Sequence, residues 1–130
     1  MCIAHGGKES SVFVAATTEC FSHLPLDEAV EKIADLEFTN IEINIDENGE
    51  HLRPADVIND LAGAVAICSK TRRLSVSSYR FASSTPGEAY FEEFDSICNL
   101  AKLTKVVTLT VPSSELGTPF NEEVERLKRL

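Results

Sequence analysis

The stretch Asn40-Ile41-Glu42-Ile43-Asn44-Ile45 alternates strictly between polar and apolar residues. A period of two residues is typical of a strand whose two faces meet different surroundings. The isoleucines predict a face that is covered by helices, and the alternate positions predict a polar opposite face. This segment is therefore predicted to be a strand of a layered α/β protein.

Outward from this strand, the pattern of a strand followed by a helix occurs four times. The predicted strands cover residues 12–16, 40–45, 74–79 and 106–111. Each predicted helix begins near a proline, because proline fits the first helical turn: Pro25, Pro54, Pro86 and Pro119. The strands recur about every 30 residues, as crossover connections require, so neighbouring strands are predicted to be parallel.

Local signals predict where the helices start and stop. The first is expected to end near Glu37, and the second to run as one long helix from Pro54 to the basic residues before residue 74. In the segment Thr85–Glu88, a cap residue, a proline and an acid stand at the spacing of a capping box. This segment is predicted to open the third helix.

The alternation also distinguishes between two architectures. Strands of a doubly wound sheet tend to be apolar throughout, whereas the inward positions of a closed barrel can be polar near the strand ends where ligands bind. We therefore predict an α/β fold of four consecutive parallel strand–helix units, half of a TIM-type (β/α)8 barrel, over residues 12–130. Residues 1–11 are predicted to be a disordered leader. The main alternative, a flavodoxin-like sheet, needs a fifth strand that the sequence does not show.

The length of the chain bears on its partners. A complete barrel needs about 250 residues, and this sequence has 130. Four strands cannot close by themselves and would leave two strand edges uncovered. We therefore expect either a second half or self-association as a homo-oligomer.

Charge and hydropathy disfavour several classes of partner. The chain has 21 acidic and 12 basic residues, a net charge of −9, which repels nucleic acid and anionic membranes. It shows neither a long apolar run nor a signal-peptide pattern, which predicts a cytoplasmic protein. The cysteines show no CxxC spacing and are predicted to be reduced thiols: Cys2, Cys20, Cys68 and Cys98.

Two groups of segments carry a family resemblance: residues 21–29 with 38–43, and residues 108–112 with 116–120. Together they resemble the xylose isomerase-like family of sugar phosphate isomerases and epimerases, over residues 12–130. Glu37 departs from the family pattern, which usually has glycine at that helix end. The resemblance implies an isomerase or epimerase of carbohydrate metabolism that acts on a small sugar or sugar phosphate, with this chain as the N-terminal half of the barrel.

The resemblance also implies a divalent metal, Mn, Mg or Zn, bound by acids and histidine on the later strands of the barrel. Those strands do not belong to this chain, so no metal ligand and no catalytic base can be assigned to it. Its own histidines are scattered and form no HExxH-like motif: His5, His23 and His51.

Six residues near the ends of the predicted strands are candidates for substrate binding. Glu42 is expected to face the interior, where it either pairs with an Arg, Ser or Thr of a neighbouring strand or binds a substrate hydroxyl. Arg80 is suited to a forked contact with phosphate or carboxylate, and Tyr79 to stacking on a sugar. The structural alternatives are an ion pair of Arg80 with Glu88 and packing of Tyr79 against a helix. The remaining candidates are Ser77, Thr110 and Glu19.

Two other functions remain open. An endonuclease IV-like repair enzyme would need basic groove-lining residues and metal-binding histidines, which these strand ends do not offer. A non-catalytic half-barrel that binds a partner chain would show no turnover under any condition.

Overall fold

Residues 12–130 are described by the structure, a computed structural model. The predicted disordered leader, together with Cys2 and His5, lies outside the described residues. Four strands form one parallel sheet in the order β1-β2-β3-β4. Their bounds are β1 (Ala15–Thr17), β2 (Asn40–Asp46), β3 (Ser75–Ala82) and β4 (Leu109–Thr110).

Helices connect the strands and complete an α/β fold. A single 3₁₀ turn, Thr18–Phe21, follows β1 directly. The α-helices are α1 (Leu26–Asp35), α2 (Pro54–Asn59), α3 (Leu61–Cys68), α4 (Glu88–Thr104) and α5 (Phe120–Arg129). The predicted order of four parallel strands with helices between them is confirmed.

The apolar core lies on one face of the sheet. Ile41, Ile43 and Ile45 are fully buried, and side chains two residues apart point to the same side of a strand. Ile41 packs with residues of α1, and the other two pack in a larger cluster with residues of α2, α3 and α4. These four helices therefore cover the same side, which we call the helix face. The opposite side, which carries Glu42, is called the polar face.

A β-bulge changes the phase of β3. Ile41 pairs with Val76, but Glu42 pairs with Ser78, so Ser77 is an extra residue in the ladder. Beyond it, Tyr79 is paired with Ile43 and lies on the helix face. The predicted unbroken alternation of this strand, and with it the predicted assignment of faces, is wrong from Ser77 onward.

The predicted long second helix is also wrong, because it is divided at Asp60. This residue has φ −146° and ψ 75°, which are not helical, and its carboxylate accepts a hydrogen bond of 2.9 Å from the amide of Gly63. Aspartate competes for backbone amides in this way and favours a helix start over a helix interior. The chain therefore forms two short helices, α2 and α3, in place of one.

The predicted capping box before the third helix is wrong as well. Helix α4 begins at Glu88, after Gly87, whose φ of +68° favours glycine. Thr85 does not cap the helix, because its hydroxyl donates to the Glu93 carboxylate at 2.9 Å. The chain therefore enters α4 through a glycine turn.

The two edge strands are shorter than predicted. Val12 to Val14 are exposed and precede β1, and Val107, which is 95% exposed, precedes β4. Each edge strand has a single neighbour in the sheet, so its backbone forms strand-to-strand hydrogen bonds on one side only, and fewer of its residues are held in the sheet. Within residues 12–130, no helix combines the length and the apolar character needed to cross a membrane.

Candidate ligand-binding face

Glu42 lies at the centre of a hydrogen-bonded group on the polar face. Its Oε2 accepts hydrogen bonds from the hydroxyls of Ser78 at 2.8 Å and Thr110 at 3.0 Å. These residues belong to β2, β3 and β4, so one carboxylate oxygen joins three strands. Within residues 12–130, Oε1 accepts no hydrogen bond. The predicted orientation of Glu42 is confirmed, and one carboxylate oxygen is free for a further donor.

Asn44 lies two residues along β2, on the same face. It is 7% exposed, and its backbone amide donates to Thr18 Oγ1 at 2.9 Å. Its side-chain Oδ1 is buried and has no hydrogen-bond partner among the described residues. Such an acceptor usually marks a place where a water or a ligand supplies the missing donor. Asn44 was not among the six predicted binding residues, although its place in the alternating stretch signalled its orientation.

Arg80 and Glu19 form an ion pair on this face. Arg80 is the register partner of both Asn44 and Thr110, and its side chain is 30% exposed. The predicted alternative, an ion pair with Glu88, is wrong, because Glu88 pairs with Arg129. Arg80 and Glu19 therefore lie on the same face as Glu42, and Arg80 reaches it from within β3, because of the bulge, and not from after the strand as predicted.

Tyr79 does not belong to this group. It is fully buried on the helix face, and its hydroxyl forms a 2.8 Å hydrogen bond with Thr104 Oγ1. Burial raises the pKa of its phenol well above the ordinary value. Of the two predicted roles of Tyr79, packing against a helix is confirmed, and stacking on a sugar is corrected by the bulge at Ser77, which turns the ring towards the helices.

Ser77 has a backbone partner. Its hydroxyl donates to the carbonyl of Ile41 at 3.2 Å, at the point where the register shifts. Its neighbour Ser78, which is buried and bonded to Glu42, takes the place on the polar face that is predicted for Ser77. Bulges of this kind are over-represented next to functional sites, where they re-aim a side chain.

A cavity of about 620 Å³ lies away from the polar-face group, beyond the ends of β3 and β4 and between the start of α4 and α5. Arg126 lines it, and its guanidinium donates to Glu123, to the Tyr90 hydroxyl and to the carbonyl of Pro112. Hydrogen bonds from Arg126 and then Ser114 lower the pKa of Glu123 to about 2. The charges of Arg126 and Glu123 therefore satisfy one another, as those of Arg80 and Glu19 do on the polar face.

No metal centre is found in the described part of the chain. No three His, Cys, Asp or Glu side chains converge there, so these residues do not fit the divalent metal that the resemblance implies. Burial raises the pKa of the Cys68 and Cys98 thiols, which disfavours the reactive thiolate.

Comparison of the chain with family models, with curated proteins and with solved structures finds no match. The resemblance to sugar phosphate isomerases and epimerases therefore depends on the quoted residues alone and remains a prediction.

Proposed function

We propose that the polar face binds a small sugar or sugar phosphate, and that the chain forms half of a barrel-shaped isomerase or epimerase. The observation that carries the proposal is the Glu42 carboxylate, whose Oε2 is bonded to Ser78 and Thr110. A carboxylate fixed through one oxygen presents the other in a defined direction, and sugar hydroxyls are suitable donors to it.

The neighbouring groups suit the other parts of such a ligand. Asn44 provides a carbonyl oxygen that has no hydrogen-bond partner within residues 12–130, and this oxygen is an acceptor for a second hydroxyl. Arg80 provides a planar guanidinium, which matches the oxygens of a phosphate. Two acceptors and one cation on adjacent strands thus form a polar surface for a hydroxylated anion.

The topology supports the half-barrel part of the proposal. Strands in consecutive order, with their helices on one face, are the arrangement of a singly wound barrel, whereas a doubly wound sheet reverses its order. The second half would come from further strands or from a second copy of the chain. The proton transfers next to the sugar carbonyl need a base from that half, while Glu42 orients hydroxyls.

A spectroscopic titration tests the binding proposal on the chain itself. Isotope-labelled protein is titrated with a pentose and with a pentose phosphate, and the backbone amide shifts are followed. We expect saturable shifts at Glu42, Asn44, Ser78 and Arg80, and weaker binding in Glu42→Gln, which loses the charged acceptor. Glu92→Gln, in the exposed part of α4, is the matched control and is expected to bind like the wild type.

Two results would contradict this proposal. One is the absence of saturable shifts at millimolar ligand, and the other is a set of shifts confined to the cavity between α4 and α5. Deuterium exchange from solvent into the sugar is measured in parallel and reports proton abstraction. Binding without exchange in any assembly of the chain would support a non-catalytic module over an isomerase.

A further inference from the structure

The ion pair of Glu19 and Arg80 crosses the central part of the sheet. Glu19 lies in the 3₁₀ turn that follows β1, and Arg80 lies in β3, with β2 between them. Asn44 of β2 is the register partner of Arg80, and its amide donates to the Thr18 hydroxyl, next to Glu19. The ion pair therefore spans β2 at the level of Asn44.

The ion pair satisfies the two charges, but it does not satisfy the side-chain amide of Asn44. Asn44 is 7% exposed, and its Oδ1 has no partner among the described residues. The ion pair itself is accessible, with side chains 30% exposed for Arg80 and 47% for Glu19. An accessible ion pair thus lies beside a buried acceptor that neither of its members satisfies.

We propose that Glu19 occupies the place of the ligand's anionic group while the site is empty. When a phosphate monoester with a neighbouring hydroxyl binds, its phosphate replaces the Glu19 carboxylate on Arg80, and the hydroxyl donates to Asn44 Oδ1. This inference deepens the proposed sugar phosphate site and rests on it. Glu19 then determines specificity, because only an anion that outcompetes a tethered carboxylate can enter.

A phosphate is better suited than a free carboxylate to displace the Glu19 carboxylate from Arg80. Glu19 is held near Arg80 by the chain, so its effective concentration is high, and a singly charged carboxylate in solution has no advantage over it. A phosphate monoester carries more charge and matches the guanidinium fork. The Thr17 hydroxyl accepts a 3.3 Å hydrogen bond from the Glu19 amide, so the turn is held while the carboxylate rotates away.

The test removes the internal competitor. Glu19→Gln is titrated with inorganic phosphate, a pentose phosphate and a neutral pentose, with dissociation constants taken from amide shifts. An accessible ion pair of ordinary strength predicts about two- to sixfold tighter phosphate binding once it is broken. The neutral pentose is expected to bind with unchanged affinity, because it does not compete for Arg80.

Glu31→Gln is the matched control. It removes one negative charge and frees an arginine in the same way, since Glu31 pairs with Arg72 at 3.3 Å on the helix layer. Its phosphate affinity is expected to equal that of the wild type. In Glu19→Gln, the further change Arg80→Gln is expected to abolish the gain, and thermal melting checks that each variant is folded.

The outcomes separate this inference from the proposed function. Equal phosphate affinity in folded Glu19→Gln and Glu31→Gln, or weaker binding in the former, overturns it even if sugars still shift Glu42. A gain for inorganic phosphate that requires Arg80 supports the displacement, and it does so even if no sugar binds, in which case the sugar proposal alone fails. A gain of the same size for the neutral pentose also overturns it.

Discussion

Replacing Glu42 with alanine tests whether the polar face is a preorganised network. The change removes the shared acceptor of Ser78 and Thr110. Ser78 is 8% exposed, so its hydroxyl loses its partner away from water, whereas Thr110 is exposed and regains one from solvent. An unsatisfied buried hydroxyl costs about 1–3 kcal/mol, so we expect the free energy of unfolding to fall by about 1–2 kcal/mol.

A double-mutant cycle in urea isolates the contact between Glu42 and Ser78. Ser78→Ala alone removes the donor and leaves the carboxylate with Thr110, so it is expected to cost less than Glu42→Ala. The coupling energy of the pair is expected to be about 1 kcal/mol. Glu92→Ala, at an exposed position of α4, is the control for a lost surface acid. A cost equal to that of Glu92→Ala, together with zero coupling, would show that the carboxylate is solvated and would refute the network.

Tyr79→Phe loses the hydrogen bond to Thr104 and is expected to cost about 1 kcal/mol in urea unfolding without altering sugar binding; a loss of binding would contradict its placement on the helix face. Because the pKa of Glu123 is lowered from 4.5 to about 2, its contribution to stability is present above pH 4.5 and lost towards pH 2, and Glu123→Gln is expected to flatten this part of the acid unfolding profile. Glu37 has a φ of +66°, so Glu37→Gly is expected to raise the melting temperature, by relief of about 1 kcal/mol of strain. The open edge with exposed Val107 predicts self-association in sedimentation, and a monomer at every concentration would contradict it.

Strand β2 and the order of the elements could be predicted because their signals are local. The alternation over residues 40–45 determines which side of the strand is apolar, and the structure buries all three isoleucines on the helix face. The orientation of Glu42 follows directly. Its partners do not, because Ser78 and Thr110 are 36 and 68 residues away in sequence, and their approach depends on the register of two other strands.

The faces of β3 could not be predicted from alternation, since the bulge at Ser77 arises from pairing with β2. The sequence of this strand is compatible with either phase, because serines stand at positions 75, 77 and 78. The same limit applies to the division of the second helix. Asp60 ends the predicted long helix because its carboxylate accepts a hydrogen bond from the Gly63 amide and caps the start of α3. From the sequence alone, an aspartate within an otherwise helical pattern can equally be a helix interior residue.

The addition of further strands to the sheet would cover both the polar face and the two edge strands. Parallel sheets are normally covered on both sides, yet the buried helix residues here lie on one side. The other side carries Glu42, Arg80 and the buried amide oxygen of Asn44, which has no partner in the part of the chain that the structure describes. Strands continuing past β1 and β4 would pair both edges and enclose these groups at the same time. Enclosure would lower the local dielectric and strengthen their interactions with a ligand's charge and hydroxyls. Under the proposed half-barrel, the affinity of the polar face for a sugar phosphate is therefore expected to be weak in the isolated chain and to rise with assembly.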